Sequence, residues 1–433
     1  MKCSSQACVA ATALVVSALA GCSAPSSAPQ PSGGARYLAD LAYRRSELEA
    51  SLVNPANTYS QMRLAHYAGG DGAWDALPEW NPRAEPVTPG DVDDGTAART
   101  TLAAEAAALD TTAPVDDEAA MRALGEEAFF RYPTQLVDYG WLAVASRAAA
   151  AKYGLGIDDA RGQVGGLVRA QFADGSAGLA MTCATCHTRS QEGALLAGDG
   201  SDSFDLGKLI ADASGVIPGT GSPFEAWGPG RVDVTTSAGT APERIPDLRP
   251  VKWLTHLQQE ATVKYRDRTT LAIRLETLIM TSQSYVVRPP RIVAWALATY
   301  VESLAAGLPA MPVVSTNAPG AELFAANCAG CHTAPALTGA PVELDVVGTD
   351  PAIGESPERG TGMYRVPSLH GVGTRGLLFH DASLGSVDAL FDPARTADGY
   401  LGGTRPGAVP GHPFGLALSD PDRAALVAYV KQL

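Results

Sequence analysis

The pentapeptide Cys-x-x-Cys-His occurs twice, at Cys183-Ala184-Thr185-Cys186-His187 and at Cys328-Ala329-Gly330-Cys331-His332. Two thiols at this spacing can add across the two vinyl groups of one haem as thioethers, and the histidine that follows is placed to ligate the iron from the proximal side. Each motif therefore predicts one covalently attached haem c, with His187 and His332 as proximal ligands. A dithiol redox pair does not need the histidine, least of all twice. A four-cysteine zinc site draws its halves from nearby stretches of chain, whereas these motifs lie far apart.

The other cysteines, Cys3, Cys8 and Cys22, all stand at the start of the chain. Lys2 precedes the apolar run Val9 to Ala20, which is too short to span a bilayer and has the length of a signal-peptide core. Leu19-Ala20-Gly21-Cys22 has the form of a bacterial lipobox, where cleavage precedes a cysteine that becomes lipidated. Residues 1–21 are thus expected to be a signal peptide read by the Sec pathway, with Cys22 as the lipid anchor. Processing then leaves no free thiol, since the remaining four cysteines are committed to haem. Ser23 fits sorting to the outer membrane of a Gram-negative bacterium, with the protein facing the periplasm. Residues 22–35, rich in Ser, Pro and Gly, read as a flexible tether.

The chain of 433 residues is 46% hydrophobic and 18% charged, which is ordinary for globular protein and enough for two or three domains. A formal charge of −14 argues against nucleic acid and anionic lipid as partners, because no basic patch is available to neutralise phosphate. The same acidic balance suits a basic redox partner.

Internal repetition organises the rest. Ile245-Pro246-Asp247-Leu248-Arg249-Pro250-Val251 follows the first motif, and Val366-Pro367-Ser368-Leu369-His370-Gly371-Val372 follows the second; both fit [IV]-P-x-L-x-x-V. Continuing without a gap, Leu257 to Val263 falls opposite Leu378 to Leu384. Each half then closes on A-L-x-x-Y-V-x-x-L, at Ala296 to Leu304 and at Ala425 to Leu433, a spacing that puts the apolar residues on one helix face. Upstream helices are expected at Leu124 to Phe130 and at Gly320 to Phe324. In the first half an insertion, 134–182, intervenes, with a helix expected over Trp141 to Tyr153 and a hairpin over Leu167 to Ala180 turning at Asp174-Gly175. Pro309, Pro312 and Pro319 mark the boundary between halves. The expected fold is mainly α: a helical and irregular N-terminal extension, 36–116, then two tandem cytochrome c-like haem domains, 117–312 and 313–433. Within the extension, 36–66 suggests one or two amphipathic helices and 84–116 a loose connector; no chemistry is visible there, and it reads as structural cover.

The order L-G-x-x-x-F-F, C-x-x-C-H, P-x-L-x-x-V, F-H-D-x-S resembles the bacterial di-haem cytochrome c peroxidases, including the enzyme that matures the quinone cofactor of methylamine dehydrogenase. The ending Gly411-His412-Pro413-Phe414-Gly415 is similar to the C-terminal region of the rubber-cleaving di-haem oxygenases. The resemblance spans about residues 117 to 433. It implies a haem-dependent oxidoreductase in which peroxide or oxygen reacts at the first haem and the second relays electrons from a small cytochrome or cupredoxin, with calcium between the domains. A pure electron carrier and a rubber-oxygenase-like dioxygenase are the alternatives.

Function turns on the side of each haem opposite its proximal histidine, since an iron clamped on both sides can only pass electrons. For the second haem the candidates are His412, His380, Met363 and His370. The oxygenase resemblance favours His412, with Met363 next, and makes His380 a residue beside the haem rather than on its iron. For the first, His256, Met181 and Met280 are available but none stands out, which makes it the open centre. Gln259 replaces a tryptophan that the peroxidases carry between their haems, a departure from that pattern. Gln259, Glu260, Arg274 and Glu276 are the candidate acid–base groups for O–O cleavage, which needs a proton acceptor and donor beside the bound oxygen. Trp253 and Trp227 are candidates for the path between haems.

Overall fold

The structure, a computed structural model, describes residues 32–433 apart from 69–72, 138, 173–174, 216–221, 234–239, 241 and 309–317. The expected signal peptide, Cys22, most of the tether, the hairpin-turn residue Asp174, and Pro309 and Pro312 lie outside the described residues.

The end of the expected tether is helical. Ser32 caps α1 (Gly33–Ala39), its hydroxyl accepting from the Ala35 amide at 3.1 Å. Gly34 is buried where a Cβ would lie 2.7 Å from Val115 and 2.9 Å from Trp295. The glycine that reads as linker flexibility is there for close approach. α2 (Leu41–Ser51) and α3 (Thr58–Arg63) follow, capped by Asp40 and Asn57. The buried Tyr37 of α1, Leu48 of α2 and Tyr59 of α3 join the core formed by α4 (Glu118–Arg131), α5 (Arg268–Ser282) and α6 (Arg291–Ser303).

The expected loose connector is ordered. Its β1 (Ala84–Pro86) pairs into a four-stranded sheet with β2 (Gln135–Leu136), β3 (Leu167–Gln171) and β4 (Ala177–Met181), in the order β1-β3-β4-β2. Arg169 of β3, buried, binds Glu85 at 2.7 Å and Asp91 at 3.1 Å, and Arg99 binds the same two carboxylates. The anchor for this acidic segment lies in the later hairpin, so local composition gave no sign of it. β3 and β4 pair antiparallel as the expected hairpin. The single helix expected over Trp141 to Tyr153 is two, Trp141–Val144 and Arg147–Lys152, broken where the Ser146 side chain caps the second. The structure is helix plus sheet, 39% and 13%, rather than mainly α, with the insertion contributing three of the four strands of the largest sheet among the described residues.

Residues 324–433 have a core of their own, built on α7 (Ala321–Asn327) and α8 (Asp420–Val430). The α7–α8 contact repeats the α4–α6 contact. A Cβ on Gly125 would lie 2.0 Å from the Ala296 carbonyl and 2.7 Å from Tyr300 Cβ; one on Gly320 would lie 2.3 Å from the Ala425 carbonyl and 2.8 Å from Tyr429 Cβ. Four residues on, Phe129 meets the Tyr300 ring at 5.3 Å and Phe324 meets Tyr429 at 5.4 Å.

The loops also match. Gln258 and Ala261 (φ 65° and 56°) sit between β5 (His256–Leu257) and β6 (Val263–Lys264), as Phe379 and Ala382 (φ 66° and 58°) sit between the bridged Leu378 and Leu384. Each loop is held by the other half. Arg244 N donates to His380 O at 2.7 Å and its Nε to Phe379 O at 3.0 Å, while Arg365 N donates to Gln259 O at 2.8 Å and its Nε to Gln258 O at 3.1 Å. The N-terminal extension crosses this interlock: Val53 N donates to Thr262 O, Thr58 N to Pro357 O, and Tyr59 N to Glu358 O.

Replacing Gly125 by alanine forces the α4–α6 pair apart. Overpacking of this kind costs about 1–3 kcal/mol, and a drop of that size in urea denaturation is expected for Gly125→Ala, with Gly90→Ala, whose nearest neighbour would be 3.7 Å away, as the mild control.

Candidate functional site

A local turn presents each Cys-x-x-Cys-His. The His187 amide donates to Cys183 O at 3.0 Å and the His332 amide to Cys328 O at 2.9 Å. At the first motif Thr182 and Thr185 form a reciprocal cap, and both hydroxyls donate to Gly166 O, so the inserted hairpin seats the turn. All four cysteines are free of disulfides. Burial pushes the Cys183 and Cys186 thiols up to about 12 and Cys328 to about 11. A thioether at these positions has no charge to desolvate. Among the described residues no group of three or more His, Cys, Asp or Glu could hold a metal ion, so neither a zinc site nor a carboxylate calcium cluster is found there.

Both histidines are prepared as ligands. His187 Nδ1 donates to Pro246 O at 3.0 Å, and His332 Nδ1 donates to Leu337 O at 3.1 Å with Pro367 O close by. A carbonyl only accepts, which fixes the Nδ1–H tautomer and leaves Nε2 with its lone pair free for iron. Burial lowers the His187 pKa to about 4 and depresses that of His332 as well, favouring the neutral imidazole that can ligate iron.

Beside His332 opens a cavity of about 300 Å³, lined by Cys328, Cys331, Phe324, Leu378, Phe379 and His412 among others. His412 enters it from a loop with φ 44°, packed between Phe379 and Phe414, its Nδ1 buried without a partner; its pKa falls to about 4 through burial and the nearby His332. His412 and His332 thus share one cavity. Met363 does not line it: strand alternation gives that place to Tyr364, on whose ring His380 stacks at 4.2 Å. His370 lies elsewhere, its Nε2 bonded to Pro335 O and its ring against Trp253.

Three arginines, Arg244, Arg365 and Arg375, also line this cavity. Burial, then mutual repulsion, lowers Arg244 to about 9 and Arg365 to about 10. Their side chains bond mainly to carbonyls; Arg375 also pairs with Asp247 at 3.4 Å, a carboxylate it shares with Arg249, and Asp199 is engaged by Arg189 and Arg249. A cluster of guanidinium groups that outnumbers its carboxylates, beside an apolar slot, fits the two propionates of a haem. No motif singles out these arginines, although Arg244 and Arg365 stand immediately before the repeated [IV]-P-x-L-x-x-V.

Residues 317–433 match the cytochrome c family. This part of the chain is a cytochrome c domain. It implies covalently bound haem c and haem-based electron-transfer or redox function. No curated protein and no solved structure matches the chain.

The four expected acid–base residues are dispersed. Gln259 lines the cavity of the cytochrome c domain, accepting from Arg365 at 3.2 Å, because its loop reaches into the other half. Glu260 is fully buried with Arg359 at 3.1 Å, its pKa raised by burial and by the charge of Glu243. Glu276 accepts from Tyr37 Oη at 2.6 Å and Trp74 Nε1 at 2.7 Å, with Arg291 alongside, so it ties the extension to α5 rather than serving as an acid–base group. Of the four, only Arg274 is close enough to His187 to act on its charge. Met181 and Met280 are buried in apolar cores, and half-buried His256 bonds to Thr255. Trp227 packs with Phe224.

Removing a positive charge near a haem disfavours its reduced form. Arg244→Leu should lower the midpoint potential of the haem in the cytochrome c domain, by on the order of tens of millivolts. A spectroelectrochemical titration that finds no shift would separate Arg244 from that haem.

Proposed function

We propose that the chain binds two haems, in tandem cytochrome c-like domains 117–312 and 313–433, and is a di-haem oxidoreductase related to the bacterial di-haem peroxidases. In this reading peroxide or oxygen reacts at the Cys183–His187 haem, and the Cys328–His332 haem relays electrons. The recurrence of the Gly-on-Ala helix contact, the left-handed loop pairs and the Arg-to-loop bonds in both halves supports the duplication.

The observation that carries the catalytic reading is the unlike surroundings of the two histidines. His332 shares its cavity with a second imidazole, His412, whereas the charged groups felt by His187 are Asp247 and Arg274. An iron held between two histidines passes electrons only, and one held on a single side has a position for an oxygen ligand. When bound, the haems supply the one-electron exchange. Reducing one peroxide to two waters consumes two electrons and two protons; the electrons come from a small cytochrome or cupredoxin attracted by the net charge of −14. His380 and Arg244, joined at 2.7 Å through their backbones, lie at the contact between halves through which electrons would pass. The reading includes a Cys22 lipid anchor to the outer membrane; no helix among the described residues is long and apolar enough to cross a membrane.

Pyridine haemochrome assay should give two haems per chain, falling to one in Cys183→Ser/Cys186→Ser. The oxidised protein should show one high-spin haem that binds cyanide, and His412→Ala should make the other high-spin too. Two low-spin haems that bind neither cyanide nor peroxide would sink the enzyme reading and leave an electron carrier.

A further inference from the structure

α3 buries three polar side chains, Tyr59, Ser60 and Arg63. Tyr59 belongs to a core that also takes in Cys183 and Ala184 of the first motif. A buried hydroxyl without a partner costs about 1–3 kcal/mol, yet the hydroxyls of Tyr59 and Ser60 have none. The Arg63 guanidinium lies 3.3 Å over the Tyr59 ring, and its hydrogen bond is a long one, 3.4 Å, to the Tyr59 carbonyl. Arg274 approaches the same ring to 6.0 Å, with Nη1 buried and unpartnered.

The groups that act most on Arg63 are Tyr59, Arg274, Tyr67 and Tyr285, none of them a carboxylate; burial and Arg274 outweigh the tyrosines and push it down to about 10. Arg274 in turn acts on His187. Buried guanidinium groups are normally matched by an anion. Here the buried Arg63 and the half-buried Arg274, whose Nη1 is buried and unpartnered, lie at one tyrosine ring, and Arg274 is near enough to His187 to act on its charge. Backbone bonds from Thr58 and Tyr59 to the loop 357–360 hold α3 in this place, with Asn54 and Asn57 donating to Gly360 O.

We propose that Arg63, Arg274 and the Tyr59 hydroxyl form the donor set for an anionic or oxygen ligand at the Cys183–His187 haem. The N-terminal extension then completes the reaction site instead of only covering it. The inference rests on the reading of that haem as an open centre. Charge-assisted donors stabilise a developing negative oxygen, and they do the same for a bound inorganic anion.

Fluoride binding to the oxidised holoprotein, followed by absorbance, tests this without turnover. Arg63→Gln and Arg274→Gln should each weaken fluoride at least tenfold, and Tyr59→Phe about threefold, with haem content unchanged. Unchanged fluoride affinity in both arginine variants overturns the proposal. If in addition the midpoint potential of that haem shifts, the arginines serve a haem carboxylate instead. Should neither arginine variant assemble, Tyr59→Phe decides by the same titration, an unchanged affinity overturning the proposal. If the unaltered protein has no fluoride-binding haem, the open-centre reading itself fails and the proposal with it.

Discussion

Four backbone carbonyls, those of Gln258, Gln259, Phe379 and His380, accept hydrogen bonds from an arginine of the opposite half, and much of the structure is arranged around that exchange. The loops that carry them turn through left-handed residues, so they have no continuous strand ladder of their own. A buried carbonyl left unpaired is expensive. Each half therefore completes the other, in the manner of a self-complementary two-fold contact between subunits. The extension is laid across the same place, with Val53 bonded to one loop and α3 to residues 357–358.

The interlock has an electrostatic consequence. It brings Arg244, Arg365 and Arg375 together under apolar surroundings, where Arg375 shares Asp247 with Arg249 and, among the described residues, no carboxylate pairs with Arg244 or Arg365. The propionates of a haem held in this cavity would supply two more carboxylates. Arg244 and Arg365 would then hold the cofactor with the same side chains that hold the loops. Glu243, Glu260 and Arg359 form a second buried charged group nearby, which spans the halves in the same way.

The same crossing explains why Gln259 lines the cavity of the cytochrome c domain rather than facing the motif that precedes it in the chain. Glu276 illustrates a different displacement. A buried carboxylate on a helix that also carries Arg274 looks like chemistry from its sequence position, but both its oxygens are taken by Tyr37 and Trp74 from the extension.

The sequence by itself determined what depends on a few neighbouring residues. The thioether spacing of Cys-x-x-Cys-His, the helix faces of A-L-x-x-Y-V-x-x-L and the hairpin of 167–181 are set within one turn or one strand pair, and they were legible. His412 could be named as well, although what faces it was not written beside it. The tertiary structure alone decided that 84–116 is pinned by Arg169, that Gly34 packs instead of flexing, that Met363 turns away from the cavity, and which arginines gather around it. Those outcomes depend on partners far along the chain, whose meeting is fixed by how the two halves and the extension cross. No local spacing encodes that geometry.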